Sequence, residues 1–293
     1  MIVIRFMGGL GNQMFQYSLY KKFVSQGKKV YADLSYYEDE KAMPFMLLNA
    51  FPSIKLNMIE DEHYVENMTL KHQNRTLITK VVNKIFPMSR FMESDIEDNQ
   101  YRSYYIKRKN GIFAGYWQTE RYWNDIKEQI ISDLQFNALN NQTARGLADE
   151  IANTEAVSLH IRRGDYLEED VAKIFGNICT LQYYENAINY ILKKNEDMKF
   201  YVFSNDTQWV KDNLKLKNAV YVSDILEPNT SDWNEMCLMS LCKHNIIANS
   251  TFSWWGAYLN TNKEKIVIAP KKWSNISENK DICPKEWIRL ESR

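Results

Sequence analysis

Two adjacent guanidinium groups stand at the centre of the most informative run in the chain, His160-Ile161-Arg162-Arg163-Gly164-Asp165. Arginines leaving a buried strand either pair with acids or receive an anion, and the planar guanidinium fork suits phosphate oxygens. Period-2 geometry puts His160 and Arg162 on one side of the strand and Arg163 on the other, until the chain turns at Gly164. His160 before the pair and Asp165 after it share the same strand-to-loop edge, which favours an anion site over structural ion pairing.

A second run, Asn249-Ser250-Thr251-Phe252-Ser253-Trp254-Trp255, reads as a strand end feeding a helix N-terminus. Hydroxyl residues there cap free N–H groups, and the same amides with the helix dipole attract phosphate. Trp254, Trp255 and Tyr258 read as packing residues. The chain contains no Asp-x-Asp, so it has no obvious Mg²⁺ or Mn²⁺ clamp. Positive charge for a diphosphate would then come from Arg162, Arg163 and the helix at Thr251, as two halves of one site. Cys237, Cys242 and His244 suggest a metal cluster only superficially, because no fourth ligand stands at zinc spacing. No metal is expected.

Gly9-x-Gly11 after the first strand invites a dinucleotide-binding reading, with Asp33 as the candidate acid. The pattern fails at Met14, which stands where the third glycine belongs and would obstruct close helix–strand packing. What remains is a turn that brings Gly9, Gly11 and the amides of Asn12 and Gln13 to the ligand edge of a sheet.

The elements that must position these groups follow a repeating order. Ile2–Phe6 reads as a buried strand, about Asn12 to Gln26 as a helix, and Lys29–Asp33 as a second strand, which is a βαβ opening. The stretch from about Ser35 to Tyr101 shows no clear elements. Strand-like runs follow at Tyr104–Lys107 and Ile112–Trp117, then helical segments over Gln118 to about Leu134 and Thr143 to Asn153. The second half alternates strands at Ala156–Ile161, Phe200–Phe203, Ala219–Val222, Asn245–Ala248 and Lys265–Ile268 with helices. That order implies a doubly wound α/β domain, and each polar cluster falls at the C-terminal end of a strand, where such sheets bind ligands. Two domains are expected, 1–150 and 151–293.

Composition narrows the function class. The chain has 293 residues, and its 37 Lys+Arg balance 37 Asp+Glu, which removes the field a general nucleic-acid binder uses. Hydrophobic residues at 45% and charged residues at 25% exclude a disordered chain. No apolar run approaches the ~18 residues of a membrane span, and the N-terminus lacks the regions of a secretory signal. A cytoplasmic protein is expected, with at most peripheral contact at the inner face of a bacterial membrane; Lys271–Arg293 could supply it, but reads better as a packed C-terminal segment.

Together the motifs resemble one family. Gly8-Gly9-Leu10-Gly11-Asn12-Gln13-Met14-Phe15-Gln16-Tyr17, the His-Ile-Arg-Arg-Gly-Asp run and the Asn-Ser-Thr-Phe-Ser-Trp-Trp run resemble family 11 glycosyltransferases, the inverting α-1,2-fucosyltransferases that use GDP-fucose. Phe113-Ala114-Gly115-Tyr116-Trp117-Gln118 and Ile246-Ile247-Ala248 also look like that family. The resemblance implies an α/β, GT-B-like fold of two Rossmann-like domains facing a cleft, the first on the acceptor side and the second holding GDP-fucose. It implies no metal and no cofactor beyond the donor substrate, and a galactose-terminated glycan as acceptor.

By the same resemblance, Arg162 and Arg163 hold the diphosphate, with Ser250, Thr251 and Phe252 at the helix start and His160 beside the nucleotide. Glu235 takes the place of a carboxylate that reads guanine, with Asp206 as its rival. Asp165 is the first candidate for the base and is equally suited to orienting an arginine; Glu168, Glu169 and Asp170 are the alternatives. Two competing readings stand beside this one. Another GDP-fucose-dependent transferase, α-1,6- or O-fucosyl, would share the arginine motif, and a non-catalytic carbohydrate-binding protein would use the many aromatic residues instead.

Overall fold

The computed structural model describes residues 1–39, 42–59, 100–139, 141–227, 230 and 232–292, and the backbone of 92–93. The chain divides into two compact units, Met1–Gln135 and Phe136–Arg293.

Unit 1 is built on a parallel sheet of order β2-β1-β4-β3, comprising β1 (Ile2–Arg5), β2 (Val30–Asp33), β3 (Met92–Glu93) and β4 (Gly111–Ala114). β1 lies in the middle, hydrogen-bonded on both sides, which is why its first three residues are an unbroken apolar run. Helix α1 (Leu10–Ser25) follows and buries Met14, Phe15, Leu19 and Phe23 completely. Three sequence expectations change here. Tyr104–Lys107 is a single helical turn rather than a strand. Its aromatic and β-branched residues favour a strand only where a pleated surface receives them, and here Tyr105 packs edge-on against Trp117 at 6.0 Å. The strand expected at Ile112–Trp117 stops at Ala114, and the helix expected over Gln118–Leu134 resolves into two 3₁₀ turns and a helix at Lys127–Asp133.

Unit 2 carries a six-stranded, wholly parallel sheet of order β10-β9-β8-β5-β6-β7. Its strands are β5 (Ala156–Ile161), β6 (Lys199–Ser204), β7 (Ala219–Tyr221), β8 (His244–Ile246), β9 (Val267–Pro270) and β10 (Ile288–Leu290). In chain order the sheet runs outward from β5 through β6 and β7, then returns to β8 and runs the other way, the strand order of a Rossmann domain. All six residues of β5 are buried. Val157, Leu159 and Ile161 face one core, with Tyr183, Ala187 and Ile191 of α2 (Leu181–Leu192). On the other face Ala156, Tyr201 and Phe203 pack with Leu147 and Ile151 of the helix at Gln142–Ala152 and Leu238 of α3 (Trp233–Leu241).

That second core moves the domain boundary. The helix at Gln142–Ala152 is amphipathic and spends its apolar face on unit 2, so the division falls before it rather than after residue 150. The C-terminal segment is also packed: Trp273 and Trp287 are buried, and β10 pairs with β9. Those tryptophans are therefore not available to a membrane surface. Among the described residues, no helix is long and apolar enough to cross a membrane.

Candidate active site

The sheet of unit 2 changes direction between β5 and β8, which pair from Val157↔His244 to Leu159↔Ile246. Past that ladder both strands run on, one into His160-Ile161-Arg162-Arg163 and the other into Ile247-Ala248-Asn249-Ser250. Such a switch point leaves a crevice at the carboxyl ends of the strands, because the connecting helices depart to opposite faces. The Tyr166 hydroxyl donates to the Asn249 carbonyl at 3.0 Å, tying the loop after β5 to the end of the β8 segment. Asn249 is itself pinned, its Nδ2 donating to the carbonyls of Phe175 and Trp273 at 3.1 Å each.

Both arginines stand at this crevice, just past the end of β5 at Ile161, and both border one cavity. Arg162 gives Nε and Nη2 to the two oxygens of Asp165, at 2.8 and 3.0 Å. Arg163 gives Nε to Asp206 Oδ2 at 3.0 Å and lies over the Trp209 ring at 4.0 Å. Its backbone N–H donates to Asn205 Oδ1 at 2.9 Å. These acids are partly exposed partners rather than interior ones, and the arginine side chains keep 31% and 26% of their surface open. Among the described residues, Nη1 of Arg162 and both Nη groups of Arg163 remain uncommitted, so each guanidinium is held by one edge and offers another. A cavity of ≈ 200 Å³ opens beside them, lined by Tyr166, Leu167, Cys179, Trp209 and Asn249.

Helix α4 (Thr251–Tyr258) starts beside the Asn249 anchor. Ser250 caps it, its Oγ accepting from the Phe252 N–H at 3.3 Å, while Thr251 and Phe252 are half-buried. Trp254 and Trp255 are fully buried, as packing residues should be.

His160 lies on the Arg162 side of β5, 5% exposed, its ring 6.0 Å from Phe252. Burial, with the Arg162 charge adding to it, pushes its pKa down to about 3, so the imidazole is neutral. Its Nδ1 is buried and lacks a hydrogen-bond partner among the described residues. Glu235, in the first turn of α3, accepts from Ser223 Oγ at 2.8 Å, and that oxygen accepts from the Ser204 N–H at 3.0 Å. Burial pushes the Glu235 carboxyl up to about 7; Asp232 adds to the rise, and Ser223 and Arg162 oppose it. Asp206, the rival to Glu235, is committed to Arg163 and to capping the next helix through Trp209 N–H at 3.1 Å.

Sequence reasoning missed Tyr166, Asn205, Trp209, Ser223 and the anchoring role of Asn249. Asn205 carried a signal as the middle of a polar triplet ending a strand, and Asn249 as the first residue of the run that opens α4. In unit 1, Gly9 and Asn12 are half-buried at the end of β1 and Gly11 is buried. Gln13 is different from its expected role: it is 0% exposed and its amide is saturated. Nε2 donates to the carbonyls of Gly8 and Pro44, and Oε1 accepts from the N–H groups of Met46 and Leu47. It braces the loop and offers no side-chain group to a ligand.

The sequence profile of glycosyl transferase family 11 matches residues 1–291. An alpha-1,2-colitosyltransferase of Escherichia coli is 37% identical, over 99% of this chain and 99% of its own. The O-antigen biosynthesis glycosyltransferase WbnK of Escherichia coli is 33% identical, over 97% of this chain and 98% of its own. Among solved structures, the fucosyltransferase NodZ from Bradyrhizobium matches with a TM-score of 0.54 at 13% identity, covering 88% of this chain and 93% of that one. The NodZ alpha-1,6-fucosyltransferase co-crystallized with GDP matches at 0.51 and 14%, covering 88% and 92%. At such identities the structural likeness is one of fold, whereas the profile and the full-length relatives carry the assignment: the chain is a glycosyltransferase and belongs to glycosyl transferase family 11.

Proposed function

We propose that the protein is an inverting, metal-independent α-1,2-fucosyltransferase, moving L-fucose from GDP-β-L-fucose to the 2-hydroxyl of a terminal galactose in a glycan. One observation carries the donor half of this reading: two guanidiniums with free N–H groups stand at the switch point of a Rossmann sheet, next to the start of α4. Bordering one cavity from adjacent positions, they suit a diphosphate, whose charge is spread over several oxygens. The two-unit architecture supports a GT-B-like reading, with the donor on unit 2 and the acceptor on unit 1.

In this mechanism the acceptor hydroxyl attacks the anomeric carbon from the face opposite the departing GDP. Negative charge gathers on the diphosphate, and guanidiniums already fixed by Asp165 and Asp206 stabilise it without reorganisation. The amides at the start of α4 add a favourable field, and neutral His160 borders the nucleotide. Glu235 as a carboxylate accepts from N1–H and N2–H of guanine together, a pairing that adenine and uracil lack.

Both oxygens of Asp165 are occupied by Arg162, which supports an orienting role for it. Glu169 and Asp170 both pair with Lys173. We assign the base to Glu168, the remaining acid of that loop, which takes the proton from the attacking hydroxyl.

A second donor is favoured by a specific observation, the full-length relative named as a colitosyltransferase. Colitose is fucose without its 3-hydroxyl, and a site for one differs from a site for the other by the contacts made to that group. The test is a titration of the protein with GDP-fucose, GDP-colitose, GDP-mannose and UDP-galactose in EDTA, followed by transfer to lactose. Binding and transfer of GDP-fucose support the proposal. Preference for GDP-colitose replaces the donor sugar, and dependence on added metal overturns the mechanism.

A further inference from the structure

The cations of unit 1 gather at the amino ends of its strands. Residues 18–32 hold Lys21, Lys22, Lys28 and Lys29 and no acid, and residues 100–119 hold Arg102, Lys107, Arg108 and Lys109 and no acid. The two stretches enter the strands on either side of β1, where Ile2 pairs with Val30 of β2 and with Gly111 of β4. The Ile2 N–H donates to the Lys29 carbonyl at 2.9 Å, and the Gly111 N–H to the Met1 carbonyl at 3.2 Å. Lys28 joins the stretches directly, its Nζ donating to the Ile106 carbonyl at 2.9 Å. A third segment arrives beyond β2. Ala32 N–H donates to the Asn57 carbonyl at 2.7 Å and Ile59 N–H to the Ala32 carbonyl at 3.1 Å, so residues 57–59 run parallel to β2 and Lys55 precedes them at the same edge.

Much of this charge is left uncompensated. Asp133 and Asp125 take Lys21 and Lys22, at 2.6 and 2.5 Å. Lys28 lies over the Phe23 ring at 4.6 Å, and burial first and the Lys22 charge second hold its ammonium below the usual range. Lys55, Lys107 and Lys109 are exposed and make no ion pair among the described residues. The acids that follow β2 stand at the opposite edge, where Asp33 ends the strand against Arg5 at 2.7 Å and Glu38 comes soon after. Two exposed apolar side chains accompany the cations: Val24 at the end of α1, 39% exposed, and Tyr104 in the turn that Lys28 holds, 47% exposed.

Single lysines on a surface are ordinary. Three separate segments bringing unpaired cations to one edge of a chain with no net charge make a local positive field, which attracts an anionic surface and turns that edge toward it. A nucleic acid and an anionic lipid would both answer this field. The apolar pair favours the lipid, because tyrosine and aliphatic side chains settle among headgroups while lysines reach the phosphates. We infer that the amino edge of the unit 1 sheet docks on an anionic lipid bilayer, with Lys55, Lys107 and Lys109 on the headgroups and Val24 and Tyr104 between them. The Gly8–Gly9 loop, at the carboxyl ends of the strands, is then turned away from the bilayer. This docking goes beyond the proposed function and holds whichever sugar is moved.

The test sediments the full-length protein with vesicles of phosphatidylglycerol and phosphatidylcholine, and with vesicles of phosphatidylcholine alone. The wild type should bind the anionic vesicles, release them at high salt and ignore the neutral ones. The combined variant Lys55→Gln, Lys107→Gln, Lys109→Gln should lose about 100-fold or more in vesicle affinity with its thermal midpoint unchanged. Should that variant not fold, Lys107→Glu alone decides, with an expected loss of about tenfold or more. Tyr104→Ala should also weaken vesicle binding. A wild type that leaves anionic vesicles in the supernatant, a folded variant that binds them undiminished, or tighter binding to a DNA duplex than to the vesicles overturns the inference.

Discussion

Asp165 grips Arg162 through two parallel hydrogen bonds, Nε to Oδ1 at 2.8 Å and Nη2 to Oδ2 at 3.0 Å. A fork of this kind fixes the plane of the guanidinium as well as its position, and it leaves Nη1 pointing away from the carboxylate. The arginine is thereby prepared for a ligand before the ligand arrives.

That relationship separates orientation from proton transfer. Asp165→Asn keeps the size of the side chain but loses the charge-assisted fork, so kcat should fall by about 10- to 100-fold through misplacement of Arg162. Its pH profile should keep its shape. Glu168→Gln should instead remove the ascending limb of the kcat profile. A steady-state pH series on both variants checks this, and loss of the limb in Asp165→Asn would return the base role to Asp165.

Glu235 yields a pH dependence of a defined sign. Burial holds its carboxyl near 7, so below that value the group is protonated and cannot accept both guanine N–H groups. The donor KM should therefore rise as the pH falls through 7. Ser223→Ala removes the hydrogen bond that opposes the shift and should move the transition to higher pH. Donor KM measured between pH 5.5 and 8.5 (about one and a half units either side of the transition) is the check.

The same carboxyl contributes to stability in the opposite sense. Its folded pKa lies above the ordinary value of 4.5, so between 4.5 and about 7 the native state binds more protons than the unfolded one. Stability then falls as the pH rises through that window. Urea unfolding at either end should show the loss in the wild type and a smaller one in Glu235→Gln.

Packing beneath α4 gives a separate expectation. A Cβ on Gly256 would stand 2.8 Å from Met239 Cβ, where α4 meets α3. Gly256→Ala should destabilise the protein by about 1–3 kcal/mol, read as a lower midpoint in thermal or urea unfolding. An unchanged midpoint would mean that the two helices separate freely.

Much of the site was legible because its residues lie close together in sequence. The apolar run of β5 marked the strand end from which the arginines follow, and Ser250-Thr251 marked the start of α4. What stayed hidden depends on pairing between distant strands. Trp209 and Asp206 reach Arg163 only because β6 lies beside β5, and Ser223 reaches Glu235 from the far end of the three-residue β7. Gln13 read as a ligand group because a polar side chain in a glycine-rich turn looks exposed, yet residues 44–47 fold over it. β10 is too short to carry a pattern, and the Tyr104–Lys107 turn was disguised by residues that favour strands. The stretch from about Ser35 to Tyr101, which shows no clear elements in the sequence, lies for the most part outside the described residues.

On the proposed function, Arg162 and Arg163 hold the diphosphate without a divalent ion. Calorimetric titration of GDP and of guanosine in EDTA, against the wild type and Arg163→Ala, tests it most directly. GDP should bind the wild type and lose about 100-fold or more in affinity on the substitution, as loss of a charge-assisted partner implies, with guanosine binding unaltered. Equal GDP affinity in the two proteins, or GDP binding only after metal is restored, would contradict the account.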